Sequence, residues 1–146
     1  MSHRRRFGRA ALVLAMAALS GCADLTGKRL ETGVPDQLEG TVWEASRILT
    51  RPATAALSAL EFREAGAIGG TAGCNRFQGS AMIAANTMTF GPLAVTKRMC
   101  QPAVNGQETV FLEALDMTHK WQVIGNVLEL LDNNDDVVMV LIRSER

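Results

Sequence analysis

The stretch AIGGTAGCNRFQGSAMIAANTMTF, running from Ala67 to Phe90, decides the fold through its spacing. Residues 67–71 and 76–84 are short runs of strand-forming composition that turn about Gly73-Cys74-Asn75. Asn86 is a turn residue, and residues 87–90 make the return strand, with Met88 and Phe90 on one face. Gly91-Pro92 then punctuates the chain. Short strands joined by tight corners build an antiparallel sheet, not a parallel one, because a parallel crossover needs a dozen or more residues.

The same rhythm extends outward. Residues 41–49 are β-prone around Trp43 and are broken by Pro52; within residues 56–63, Leu60 and Phe62 share a face. Downstream, residues 121–124 and 127–131 flank Gly125-Asn126, a two-residue hairpin signal. Residues 132–136 form another turn, and 137–142 a last apolar strand. In the mature chain only residues 105–119 carry helical spacing, through Val110, Phe111, Ala114, Leu115 and Met117. Asn105 reads as the N-cap with Glu108 three residues on, as in a capping box, and His119 and Lys120 suit the far end of the dipole. The pattern predicts a mainly β (α+β) domain. Its architecture is a small antiparallel sheet or half-open barrel, with one late amphipathic helix packed over an opening.

The chain has 146 residues, and the first 21 read as a leader. Arg4, Arg5, Arg6 and Arg9 form a basic n-region, and residues 10–19 an apolar segment too short to span a bilayer. Leu19-Ser20-Gly21-Cys22 follows and resembles the bacterial lipobox, in which the Cys sulfur takes a diacylglycerol. That resemblance implies an exported protein anchored through Cys22. Ala23, not Asp, follows the Cys, which by similarity to enterobacterial sorting favours a periplasm-facing site on the outer membrane over the inner membrane. Arg4-Arg5-Arg6-Phe7 also looks like part of a twin-arginine signal; a plain basic n-region is the preferred reading. Residues 22–37 are then the lipidated Cys and a flexible tether, and residues 38–146 the domain.

Of the 15 basic residues, four lie in the leader, leaving 11 against 15 acidic ones, a net charge of −4. A mildly acidic domain without a basic stripe argues against nucleic-acid binding. Three cysteines leave an odd one. With Cys22 lipidated, Cys74 and Cys100 remain, and outside the cytoplasm a pair tends to be oxidised. A bridge would close a loop of about 25 residues and contribute on the order of 3 kcal/mol; two free thiols or a soft metal site are the alternatives.

No catalytic or metal constellation emerges. His119 is the one histidine of the mature chain, so a nucleophile–base pair would have to include it. Cys74 and Cys100 lack a C-x-x-C partner for zinc. Met82, Met88, Met99, Met117 and Met139 alternate with apolar neighbours as core fillers do, which outweighs a Cu(I) site. Asp132, Asn134 and Asp136 mimic a calcium loop, but Val137 and Arg143 stand where Gly and Glu belong, so they read as a turn. The glycines of residues 69–73 are not followed by Gly-Lys-Ser and more simply allow a bend or bulge. Lys97-Arg98 reads as a solvated loop pair with a lipid or protein contact as the alternative. No cofactor is implied.

Gly70-Thr71-Ala72-Gly73-Cys74-Asn75-Arg76-Phe77-Gln78-Gly79-Ser80, then Leu93-Ala94-Val95-Thr96-Lys97-Arg98-Met99-Cys100, resembles the META domain, also called the HslJ-like family. Its pattern is a G-C-N-x-F-x-G corner, a T-x-x-M-x-C-like segment about 20 residues later, then a helix with F-L-x-A-L, here Phe111-Leu112-Glu113-Ala114-Leu115. A closing L-x-L-L-D run stands at Leu128-Glu129-Leu130-Leu131-Asp132. The resemblance covers residues 38–143. Two departures are visible: Val42 separates Gly40-Thr41 from Trp43, and Ala81 stands where an aromatic is usual.

The resemblance implies a small β-rich fold wrapped against a helix. It also implies kinship with bacterial lipoproteins and secreted proteins linked to heat stress, antibiotic tolerance, motility and virulence, and a fold similar to secretin-pilot lipoproteins that hold acyl chains. It brings no catalytic activity. It carries Cys74 and Cys100 over as a disulfide, and Gly73, Asn75, Phe77, Gly79, Thr96 and Met99 as motif positions. The expectation is a non-catalytic accessory lipoprotein of envelope assembly or stress tolerance. It would engage an envelope protein or an acyl chain through an apolar cavity or patch between the sheet and residues 110–117. A ligand-free structural protein with a filled core is the alternative, and an enzyme the least favoured.

Overall fold

The computed structural model describes residues 35–145. The leader, Cys22 and the tether up to residue 34 lie outside the described residues. Within the described residues, ten strands, one α-helix and two short 3-10 turns follow one another.

β5 (Arg76–Ala84) shows how alternation places side chains: Phe77, Ala81 and Ile83 are buried, while Arg76, Gln78, Ser80 and Met82 face outward. β4 (Ala67–Thr71) and β6 (Thr87–Phe90) flank it, as the spacing predicts. β1 (Val42–Ile48) buries Trp43 and Ala45. A register shift between Ala45 and Arg47 then changes the phase, so that Ile48 points inward. The expected strand over residues 56–63 is shorter: Ala55–Leu57 is a 3-10 turn, and β3 is Ala59–Phe62. Two strands of two residues each, β2 (Arg51–Pro52) and β7 (Ala94–Val95), are too short to leave a periodic signal.

The helix α1 spans Pro102–Met117, beginning three residues before the Asn105 expected as its cap. Pro102 sets the start, because its fixed φ suits the first helical turn and its missing N–H costs nothing there. Asn105 instead bonds back to both the N–H and the C=O of Cys100, at 3.3 and 3.1 Å. α1 buries Phe111, Ala114 and Leu115; Met117 projects and is partly exposed.

After α1, β8 (Lys120–Ile124), β9 (Val127–Leu131) and β10 (Val137–Arg143) complete a continuous antiparallel sheet. The order β10-β9-β8-β6-β5-β4-β3-β1 returns to β10, so eight strands close a barrel, with β2 and β7 as additions. The mainly β class with one packed helix is as predicted, and the ring is closed by the first and last long strands, Trp43 facing Arg143 and Ile48 facing Met139. One seam is narrow: β6 and β8 share a single register pair, Thr87 with Lys120. The interior is filled by Trp43, Leu60, Phe62, Met88, Leu128, Leu130 and Met139, with Phe111 entering from α1. No helix among the described residues is long and apolar enough to cross a membrane.

Candidate functional site

The cysteine-bearing motifs meet at one corner, and Asn75 is its centre. Asn75 is buried, at 4% exposure. Its Oδ1 accepts from Thr96 Oγ1 at 2.8 Å and from the Arg98 N–H at 2.6 Å. Its Nδ2 donates to Glu108 Oε1 at 2.9 Å and to the Arg98 carbonyl at 3.1 Å. Its backbone N–H donates to Glu108 Oε2 at 2.6 Å. One side chain thus ties the β4–β5 corner to the segment after β7 and to α1. Burying an amide is tolerated because every donor and acceptor is used.

Beside it, Cys74 and Cys100 are joined by a disulfide with Cα atoms 5.8 Å apart. Gly73 is required by the approach of α1, since a Cβ there would stand 2.8 Å from the Val104 carbonyl oxygen. Gly79 makes room for the return of the chain, its Cβ position lying 2.6 Å from Leu93 Cδ2. Phe77 packs its ring 5.7 Å from that of Phe111. Met99 takes no part in the core and is 93% exposed. Thus Gly73, Asn75, Phe77, Gly79 and Thr96 hold the fold together, and of the motif residues Met99 faces solvent.

A groove of about 670 Å³ opens on the outer wall of the barrel. Two rows of outward-facing residues make its floor. Val42, Glu61, Gly69 and Gln78 face one another across β1, β3, β4 and β5, and Ala59, Thr71 and Arg76 form the second row. Gly69 leaves a low point that the Arg63 guanidinium covers, 2.8 Å from where a Cβ would stand. Arg63 bonds Glu61 at 2.6 Å, which holds the Glu61 carboxyl below its usual range and raises the Arg63 guanidinium. Arg76 makes no ion pair among the described residues. A second hollow of about 550 Å³ adjoins at Glu61 and Arg63 and reaches Glu39 and Glu64. Both lie on the outer wall, not between the sheet and residues 110–117 where an apolar cavity was expected. The barrel interior is occupied by its own side chains.

The other candidate residues fall elsewhere. His119 Nδ1 lies 3.0 Å from the Met117 carbonyl, at the end of α1. Asp132 Oδ1 accepts the backbone N–H groups of Asp136 at 2.9 Å and Asn134 at 2.8 Å, and those bonds, Asp136 first, lower its pKa. Its carboxylate therefore closes a turn. No cluster of three or more His, Cys, Asp or Glu fit for a metal occurs among the described residues. Glu108, Gln107 and Arg63 escaped the sequence reading in their actual roles. Gln107 Nε2 reaches Ser58 Oγ at 2.9 Å and the Thr54 carbonyl at 3.1 Å, 49 and 53 residues away. Nothing local signals such partners.

Comparison with known proteins agrees with this geometry. No curated protein matches the chain in sequence. Among solved structures, an NMR structure of a protein from Burkholderia xenovorans is similar at 23% identity and a TM-score of 0.59, over 75% of this chain and 86% of that one. A DUF4847 family protein from Bacteroides vulgatus, solved by crystallography, is similar at 13% identity and a TM-score of 0.57, over 75% of this chain and 96% of that one. These likenesses concern the fold. The model of the META domain matches residues 36–145, which include the whole barrel, the Asn75 clasp and the disulfide, and the chain belongs to the META domain family.

Proposed function

We propose that this protein is a non-catalytic accessory lipoprotein of the cell envelope, anchored through Cys22 at the periplasmic face of the outer membrane. It serves assembly or stress tolerance by docking an envelope protein in the groove beside Arg76. One observation carries the reading: Asn75 and Thr96, polar residues of the family motif, are spent on a part-buried clasp with Glu108. Asn75, Thr96 and Glu108 satisfy one another and are not free for chemistry. The concave surface that remains is a groove that mixes apolar Val42, Ala59 and Val95 with polar Thr71 and Gln78 and charged Glu61, Arg63 and Arg76, a mixed composition that suits a protein-binding surface. The filled interior argues against an acyl chain within the barrel, and it also supports the second reading, a structural envelope protein with no ligand.

A photo-crosslinking residue placed at Gln78, in the groove, is compared in cells with one at Asn133, in the distant turn. The expected outcome is a protein adduct from position 78 and none from 133. Absence of an adduct at both positions would move the assignment to the structural reading. In parallel, Cys22→Ser should release the chain from membranes into the periplasm; continued pelleting with membranes would overturn the anchor.

A further inference from the structure

Met99 is the motif residue that the fold does not use. Among the described residues it is the most exposed of the four exposed large apolar side chains, at 93% against 75% for Met82. Its presentation is enforced from both sides. On one, Asn75 grips the Arg98 N–H and C=O at 2.6 and 3.1 Å. On the other, Cys100 is bridged to Cys74 and bonded to the Asn105 side chain. A loop clamped one residue before and one residue after a methionine cannot fold that side chain back onto the core.

The charge around it runs against the rest of the molecule. Residues 35–145 contain 13 acidic and eight basic side chains. Of those eight, Lys97 and Arg98 immediately precede Met99, and Arg76 is tied to the same segment through its backbone N–H, which donates to Thr96 Oγ1. None of the three forms an ion pair among the described residues. The one carboxylate of the clasp, Glu108, is occupied by Asn75. A projecting thioether flanked by unpaired cations, held rigidly on an otherwise acidic domain, fits a surface that is anionic outside and apolar beneath.

We infer that the Lys97-Arg98-Met99 tip docks on anionic phospholipid. The cations sit among the headgroups and Met99 enters the interface below them. Each basic side chain near an anionic surface raises partitioning about five-fold, so Lys97 and Arg98 together raise it roughly 25-fold. That is weak binding for a free domain, but it is ample to set orientation once a lipid supplies attachment. The inference rests on the anchored reading above and adds to it the face that meets the bilayer. Twelve residues separate Cys22 from Pro35 and span about 45 Å when extended, enough to let the domain turn this corner to the membrane.

The test uses the mature chain, residues 22–146, carrying Cys22→Ser, floated with vesicles of equimolar phosphatidylglycerol and phosphatidylcholine, or of phosphatidylcholine alone. Flotation with the anionic vesicles, weakening as salt is raised, is the expected result. Lys97→Ala with Arg98→Ala should lower partitioning about 25-fold. Met99→Ser should lower it without changing the salt dependence. Since all three side chains are exposed, unchanged thermal melts would verify folding. Equal binding to both vesicles, no binding, or indifference to the Lys97 and Arg98 substitutions would each overturn the tip. So would an in-cell crosslink from position 99 to a protein in place of lipid. Membrane release of Cys22→Ser in cells reports the anchor separately, so the two readings fail independently.

Discussion

The side chain and N–H of Asn75 bond to three other residues, Thr96, Arg98 and Glu108, all from outside its own corner, and no other residue type matches that pattern. An aspartate of the same shape would set a second carboxylate against Glu108, and an alanine would strand the Arg98 N–H and the Glu108 carboxylate. Those groups are only part-buried and carry part of the desolvation cost, so Asn75→Ala should lower unfolding free energy by about 2 kcal/mol. Urea unfolding would show a shifted midpoint at unchanged slope. A loss under about 1 kcal/mol would mean that water replaces the amide and that the clasp is not a keystone. Gly70 makes the complementary demand: a Cβ there would stand 2.0 Å from the Ala59 carbonyl oxygen, with φ at +144°.

At the scale of elements, the disulfide and the clasp do related work by different means. The bridge spans 26 residues of sequence and fastens the β4–β5 corner to the segment that leads into α1. In the chain-entropy account this constrains the unfolded chain by about 3 kcal/mol. Cys74→Ala and Cys100→Ala should therefore lower the melting temperature equally, since either removes the same cross-link. Unequal losses, or titratable thiols in the native protein, would contradict the bridge. α1 is set less by its own capping signals than by what flanks it: Pro102 starts it, and Asn105 and Glu108 turn outward to Cys100 and Asn75. That is why the capping box seen in the sequence does not form.

For the whole molecule, closure is uneven around the ring. β1 and β10 pair through five residue pairs, whereas β6 and β8 share one, supported by the Met88 N–H to the His119 carbonyl and the Trp121 N–H to the Asn86 carbonyl, both at 3.0 Å. Local opening begins where few backbone bonds and few contacts resist it. Native-state hydrogen exchange should show the Met88 and Trp121 amides exchanging through an opening of lower free energy than the Ala45 or Leu49 amides. Equal protection would show that α1 supports the seam as firmly as a full strand pairing. Because the ring depends on strands nearly a hundred residues apart, folding should be slow for this length.

Much of the strand layout was legible from residues alone. The runs at 67–71, 76–84 and 87–90, the Gly125-Asn126 hairpin and the alternation in β5 follow from periodicity and turn chemistry, which act over a few residues. Membership of the META domain family was legible in the two cysteine motifs. What the tertiary structure decided is everything that pairs distant residues. The β1–β10 closure, the reach of Gln107 to Ser58, the conversion of Glu108 from cap to clasp, and the outer groove under Arg63 each join groups dozens of residues apart. No local pattern encodes such partners, because they are selected by which side chains the closed barrel brings within bonding distance.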